Sequence, residues 1–167
     1  MARRRARRRP VGDPAPDHPR VRSGRHPEPG EGVRPVSGTI HVAAAVVVAD
    51  DGRTLVVRKR GARVFQQPGG KPDAGEDALA AVVREVAEET GIAADPGDYV
   101  PLGRFTDDAA NEPGHRVVGD AFLLRVGPAE ATASGEIEEL RWLTAAEVPD
   151  TPLANLSRNH LIRFAWP

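Results

Sequence analysis

The pattern of hydrophobic and polar residues changes near residue 38. From Thr39 to Ala49 the chain is rich in Val and Ala, and after Asp50-Asp51-Gly52 a second apolar run follows at 55–57. Two β-branched runs separated by an Asp-Gly turn predict a β-hairpin. Further apolar stretches predict strands at 99–106, 117–126 and 139–143, with a turn at 111–114 between the first two.

Three further segments are predicted to be helical. Residues 76–90 carry apolar side chains at helical spacing, and Gly91 is suited to end that helix. Thr144 favours a short helix directly after it, and a last helix is predicted at about 153–164. Strands combined with one central and one terminal helix predict a mixed α/β sandwich, which we assign to residues 38–167.

The first part of the chain has a different composition. Residues 1–38 hold ten Arg and four acidic residues and are rich in Pro and Gly. Such a segment cannot bury enough apolar surface to offset the entropy lost on ordering, so residues 1–37 are predicted to be a disordered tail. Its arginine runs, 3–5 and 7–9, leave nucleic-acid binding open, although a solvated tail or a misplaced start is the simpler interpretation.

Composition excludes several classes of function. The chain has no Cys, which excludes disulfides, a thiolate zinc site and a cysteine nucleophile. Its longest apolar run is 42–49, too short to cross a membrane. We therefore expect a cytoplasmic protein without membrane association, and the sequence leaves a homodimer open.

The predicted helix at 76–90 carries a cluster of acidic residues. Glu85, Glu88 and Glu89 lie at positions i, i+3 and i+4, on one face beside the apolar stripe. Like charges at this spacing repel one another, and Arg84 is the only basic residue in the helix. Clustered carboxylates without basic partners suit a hard cation such as Mg²⁺. An acidic triple seen alone is more often a solvated helix face.

The acidic triple belongs to a longer motif. Residues 70–92 read GKPDAGEDALAAVVREVAEETGI. The spacing is Gly, five residues, Glu, seven residues, then Arg-Glu-apolar-any-Glu-Glu-any-Gly-apolar. Pro68-Gly69 precedes it, and glycines let a backbone approach a metal or phosphate closely. This segment resembles the box of the Nudix hydrolases at every defined position, a specific match.

The resemblance implies a fold, a reaction and a cofactor. The fold is the family's α/β/α sandwich with a mixed sheet. The reaction is Mg²⁺- or Mn²⁺-dependent hydrolysis of a diphosphate linkage in a nucleoside diphosphate joined to another group. A nucleoside triphosphate giving the monophosphate and pyrophosphate is the expected case. A non-catalytic, nucleotide-sensing domain is the alternative, and the presence of all four box glutamates favours the enzyme.

The resemblance also assigns roles to residues of the box. It implies that Glu88 and Glu89 are the main metal ligands and that Glu85 is a further ligand or the proton acceptor. The carbonyl of Gly69 is often a ligand in the family. Arg84 and Glu76 resemble the pair that braces the box, a role that orients the ligands.

Outside the box the resemblance gives weaker assignments. Glu136 is chosen as the additional acidic metal ligand, with Glu138 and Glu139 as rivals. Arg60 is expected to bind phosphate or stack on a base, the loop at 69–70 to approach the substrate, and Asn155 to face a base edge. Gln67 departs from the family, because an apolar or aromatic residue often precedes Pro-Gly-Gly, so base stacking is not expected there.

Overall fold

The computed structural model describes residues 38–128 and 130–166. The disorder predicted for 1–37, and the nucleic-acid binding left open for that segment, therefore lie outside the described residues. The described part contains six strands and one α-helix, together with short 3₁₀ and π turns. The strands are β1 (Gly38–Ala49), β2 (Thr54–Lys59), β3 (Gly69–Gly70), β4 (Tyr99–Asp108), β5 (His115–Val126) and β6 (Ile137–Leu143), and the helix is α1 (Ala78–Thr90).

The strands form one mixed sheet in the order β4-β5-β1-β2-β6, with β3 paired to β1. Strand β1 pairs in parallel with β5 along its whole length, and the other pairs are antiparallel. The predicted hairpin is confirmed, since Val48 of β1 lies opposite Thr54 of β2. The predicted turn before β5 is also present, closed by the His115 N–H donating to the Glu112 carbonyl at 3.0 Å.

The two faces of β1 are covered by different layers. Ala43, Ala45 and Val47 belong to a buried cluster that includes residues of α1. Their neighbours, such as Val46, pack instead with Leu161 near the C-terminus. A strand covered on both faces is apolar at successive positions, which explains the uninterrupted run from which β1 was predicted. The predicted sandwich with a mixed sheet and helices on both faces is confirmed.

Helix α1 begins two residues later than predicted. Asp77 caps it, because its Oδ1 accepts a 2.7 Å hydrogen bond from the Ala80 N–H. Gly91 ends it in the left-handed conformation (φ 71°), with its N–H donating to the Ala87 carbonyl. Glu76 therefore lies before the helix, where its carboxylate is available to other partners.

The C-terminal helical segment, residues 155–165, differs from the continuous helix predicted at 153–164. It contains a π turn at Ser157–Leu161 and a 3₁₀ turn at Ile162–Ala165. Leu156 and Leu161 are five residues apart and both buried, and the wider π turn brings residues at that spacing onto one face. Of the described helices, none is long and apolar enough to span a membrane.

Candidate active site

A cleft of about 550 Å³ opens between the sheet, the loop at 67–73 and the C-terminal helical segment. Two kinds of residue line it. One group is charged or belongs to the glycine loop: Lys59, Gly69, Gly70, Lys71, Asp73, Glu85, Asp108, Glu112 and Glu136. The other group combines apolar side chains with amides and includes Ile40, Val42, Ala44, Val117, Leu156, Gln66, Gln67, Asn111 and Asn155. The sequence-predicted residues in the cleft are thus Gly69, Gly70, Glu85, Glu136 and Asn155.

The glycine loop brings α1 against β1. Gly69 pairs with Ala44, and its N–H donates a 2.9 Å hydrogen bond to Glu89 Oε2. A Cβ on Gly69 would lie 2.8 Å from the Ala44 Cα, and one on Gly70 would lie 2.5 Å from the Glu85 Cδ. Glycine at both positions therefore allows the carboxylates of α1 to approach the backbone of β1 and β3.

Glu89 is buried rather than on an open helix face, with 2% of the residue exposed. Burial raises its pKa to about 7, although Lys59 and the Gly69 N–H favour the charged form. Its Oε1 lies 3.2 Å from Lys59 Nζ, an ion pair without the alignment of a hydrogen bond. Glu89 thus supplies a buried carboxylate oxygen that no described group hydrogen-bonds.

Lys59 joins the box to the strand side of the cleft. Its Nζ donates a 2.5 Å hydrogen bond to Glu136 Oε1 as well as pairing with Glu89. Burial acts to lower the pKa of Lys59, but the Glu136 bond and the Glu89 charge outweigh it and the pKa is raised. Lys59 lines the cleft, whereas its neighbour Arg60 was the residue predicted from the sequence to bind substrate. The alternation of side chains along β2 was the available signal, since adjacent residues of a strand face opposite sides.

The substrate-binding role predicted for Arg60 gains no support from its position and stays a prediction. Arg60 is exposed and does not line the cleft, and its backbone N–H donates to the Glu136 carbonyl at 2.9 Å. Of the three acids considered for the additional ligand, Glu136 lies in the cleft. Glu138 and Glu139 form ion pairs with Arg58 at 2.7 and 2.8 Å.

Arg84 contacts three glutamates. Its Nε and Nη2 donate to both oxygens of Glu76 at 3.0 and 2.8 Å, and its Nη1 donates to Glu85 at 2.9 Å and to Glu88 at 3.3 Å. The idea that the acidic triple lacks basic partners is therefore wrong. Lys59, on a strand distant in sequence, pairs with Glu89, and Arg84 pairs with Glu85 and Glu88 along the helix. These two basic residues offset part of the negative charge that the helical spacing alone left unbalanced.

Glu76 should make stability depend on pH in the acid range. The hydrogen bonds from Arg84 and from the Asp73 N–H lower its pKa to about 2. A lowered pKa stabilises the fold above the usual value near 4.5, and that contribution is lost as the pH falls toward 2. The melting temperature of Glu76→Gln should therefore lie below wild type at pH 7, and the gap should close between pH 4.5 and 2. Glu112→Gln, at an exposed acid, is the control and should parallel wild type; a gap constant with pH would contradict the role of Glu76.

The donor chemistry suits a divalent cation. Glu85 and Glu136 present carboxylates at the cleft, Glu88 is exposed, and Glu89 has an oxygen without a hydrogen bond. Within 38–128 and 130–166, no three acidic or histidine side chains already converge as a metal site. Arg84 is ion-paired with Glu85 and Lys59 with Glu89, so a cation would compete with these two basic residues for the carboxylates.

Comparison with known proteins agrees with this arrangement. The family model described as the NUDIX domain matches residues 39–164. The phosphatase NudJ of Escherichia coli K12 is 32% identical over 110 residues, which are 65% of this chain and 71% of NudJ. A MutT NUDIX hydrolase from Burkholderia pseudomallei superposes with a TM-score of 0.63 and 28% identity, over 75% of this chain and 97% of its own.

A third similarity concerns the fold alone. A bifunctional NMN adenylyltransferase/ADP ribose pyrophosphatase from Francisella tularensis, in complex with AMP and a manganese ion, superposes with a TM-score of 0.61. Its identity is 17%, over 77% of this chain and 42% of that protein. Taken with the family model and the closer relatives, the finding is plain: the chain belongs to the NUDIX family. It is a hydrolase of the class that acts on acid anhydrides.

Proposed function

We propose that this chain hydrolyses a diphosphate linkage inside a nucleotide with the help of Mg²⁺, converting a nucleoside triphosphate to the monophosphate and pyrophosphate. The observation that carries the proposal is a single cleft that joins the ionic groups of the box to an apolar, amide-bearing wall. Such a cleft offers one surface for phosphates and another for a nucleoside. The Francisella protein, which shares the fold over 42% of its length, was solved in complex with AMP and a manganese ion, the two kinds of ligand that this proposal requires.

The residues of the chain divide into two roles under this proposal. Glu88, Glu89 and Glu136, with the Gly69 carbonyl, would hold the metal ion, which when bound neutralises phosphate charge and acidifies a coordinated water. Lys59 and Lys71 line the cleft and would bind phosphate oxygens, since each ammonium supplies three donors.

Glu85 is the proposed proton acceptor. Its Oε1 accepts a 2.9 Å hydrogen bond from Arg84, which orients the carboxylate, and we assign the proton to Oε2. The oxygen of water attacks the α-phosphorus of the nucleoside triphosphate, and a proton of that water passes to Glu85. The P–O bond between the α-phosphorus and the departing pyrophosphate breaks. Arg84 is held in turn by both oxygens of Glu76, so the pair fixes the position of Glu85.

A nucleotide panel with Mg²⁺ tests the proposal. We expect monophosphate and pyrophosphate in equal amounts when both anions are assayed without added pyrophosphatase. Turnover should vanish in excess chelator and return with excess Mg²⁺ or Mn²⁺. Orthophosphate formed in step with the nucleoside diphosphate would contradict the assignment and favour a phosphatase reaction, as the name of NudJ suggests for that relative. Undiminished turnover in chelator would contradict the metal requirement.

A further inference from the structure

Gln67 lies in the wall of the cleft with a side-chain amide that has no hydrogen-bond partner. Only 2% of the residue is exposed, and neither Oε1 nor Nε2 forms a hydrogen bond with any described residue. Buried polar groups in folded proteins almost always have a partner, and one without a partner destabilises the fold. An unpaired amide retained at a cleft therefore points to recognition of a ligand.

Backbone contacts fix the direction in which Gln67 extends. Its neighbour Gln66 pairs with Val57 of β2 through N–H···O bonds of 2.8 and 2.9 Å, so this stretch is extended. Phe65 is two residues away and thus on the same side as Gln67. Phe65 packs in a cluster that includes Ile162 of the C-terminal helical segment. Gln67 therefore faces that layer, which also lines the cleft.

We propose, on the basis of the function proposed above, that Gln67 determines specificity by hydrogen-bonding the polar edge of the nucleobase. Its amide offers an acceptor oxygen and two N–H donors, which match a base edge that presents a donor beside an acceptor. Neither amide atom reaches solvent, so base recognition requires the Gln67 side chain to turn toward the cleft when the base enters. Val42, Ala44 and Leu156 line the same cleft, so a base without that edge leaves the amide unpaired in apolar surroundings.

Two matched substitutions separate recognition from stability. Gln67→Met removes the amide at nearly constant length. Tyr99→Phe removes another buried polar group without a hydrogen bond, the Tyr99 hydroxyl, which lies in the cluster under α1 and outside the cleft lining. Both variants should raise the melting temperature by about 2–4 °C. Gln67→Leu is the second variant at the same position.

Selectivity for the base is the decisive measurement. For the base with the highest kcat/KM, the natural nucleotide is compared with the same nucleotide lacking the exocyclic group at purine C6 or pyrimidine C4. Wild type should favour the natural nucleotide by at least about tenfold, because the analogue leaves buried polar groups unpaired. Gln67→Met should reduce that ratio to about threefold or less, and Tyr99→Phe should keep the wild-type ratio. Thermal shifts with the two corresponding monophosphates give a binding ratio that does not require turnover.

The outcomes that contradict the role of Gln67 are specific. A wild-type ratio near one, or a Gln67→Met or Gln67→Leu enzyme that keeps the wild-type ratio, would overturn it. A variant that loses turnover equally with both nucleotides would also overturn it, because that is the behaviour of a purely structural residue. If wild type hydrolyses no nucleotide at all, the proposed function fails instead. The binding ratio, measured for the monophosphate that gives the largest thermal shift and for its analogue, then decides the role of Gln67.

Discussion

Glu89→Gln should lower kcat by at least about a hundredfold while the protein remains folded. The substitution keeps the size of the side chain and an oxygen that can accept the hydrogen bond from the Gly69 N–H. It removes the negative charge that we propose holds the metal, and loss of one group that stabilises transition-state charge costs about 10²–10³-fold. The fold should survive because burial already disfavours the charged form of Glu89, whose pKa is raised to about 7.

The reason for this stability differs from the one that the sequence suggested. The spacing alone was consistent with a solvated acidic face, on which replacement of Glu89 by Gln would relieve like-charge repulsion. Glu89 is buried and pairs with Lys59. When the substitution removes the charge of Glu89, Lys59 keeps its ion pair with Glu136. Steady-state rates and circular dichroism check the prediction. Glu138→Gln is the matched control, since Glu138 is an exposed acid paired with Arg58 outside the cleft lining, and it should retain wild-type kcat. A Glu89→Gln enzyme with near-full kcat would show that the metal is held elsewhere.

The box and the main outline of the sheet could be predicted because they depend on local spacing. Helical periodicity determines which side chains of 76–90 share a face, and Gly91 marks the end of α1. The alternating and continuous apolar runs locate the long strands, and their ends were missed by about two residues, as at His115 and Asp108. These features follow from residues that are close in the chain.

What could not be predicted depends on residues distant in sequence. Lys59 reaches Glu89 across 30 positions of the chain, and no helical spacing contains that contact. Lys59 and Arg84 together offset part of the repulsion within the acidic triple. The π turn in the C-terminal segment arises because Leu156 and Leu161 both pack on the sheet. The burial of the Gln67 amide without a hydrogen-bond partner could not be predicted either, because it depends on residues that pack around Gln67 from distant parts of the chain.

Alanine at two adjacent glycines should have different effects. Gly69→Ala should mainly lower stability, and Gly70→Ala should mainly lower kcat. Gly69 has a φ of 151°, which side chains rarely adopt, and its added Cβ would meet the backbone of Ala43 and Ala44. Backbone of a central strand cannot move aside without breaking its pairing with β5. Gly69→Ala should therefore lower the free energy of unfolding by about 3 kcal/mol or more, which combines strain and overpacking. Urea denaturation measures this loss.

Gly70→Ala should instead spare the fold and impair the reaction. The atoms nearest to its added Cβ belong to the Glu85 carboxylate, which is the far end of a flexible side chain and can turn away. The unfolding free energy should fall by only about 1 kcal/mol. Turning Glu85 away displaces the proposed proton acceptor, and kcat should drop about a hundredfold. Gly97→Ala, where nothing lies within 4 Å of the added Cβ, is the control and should leave both quantities near wild type. Unchanged kcat in a folded Gly70→Ala enzyme would exclude Glu85 as the proton acceptor, because its carboxylate cannot keep its position beside the new methyl group.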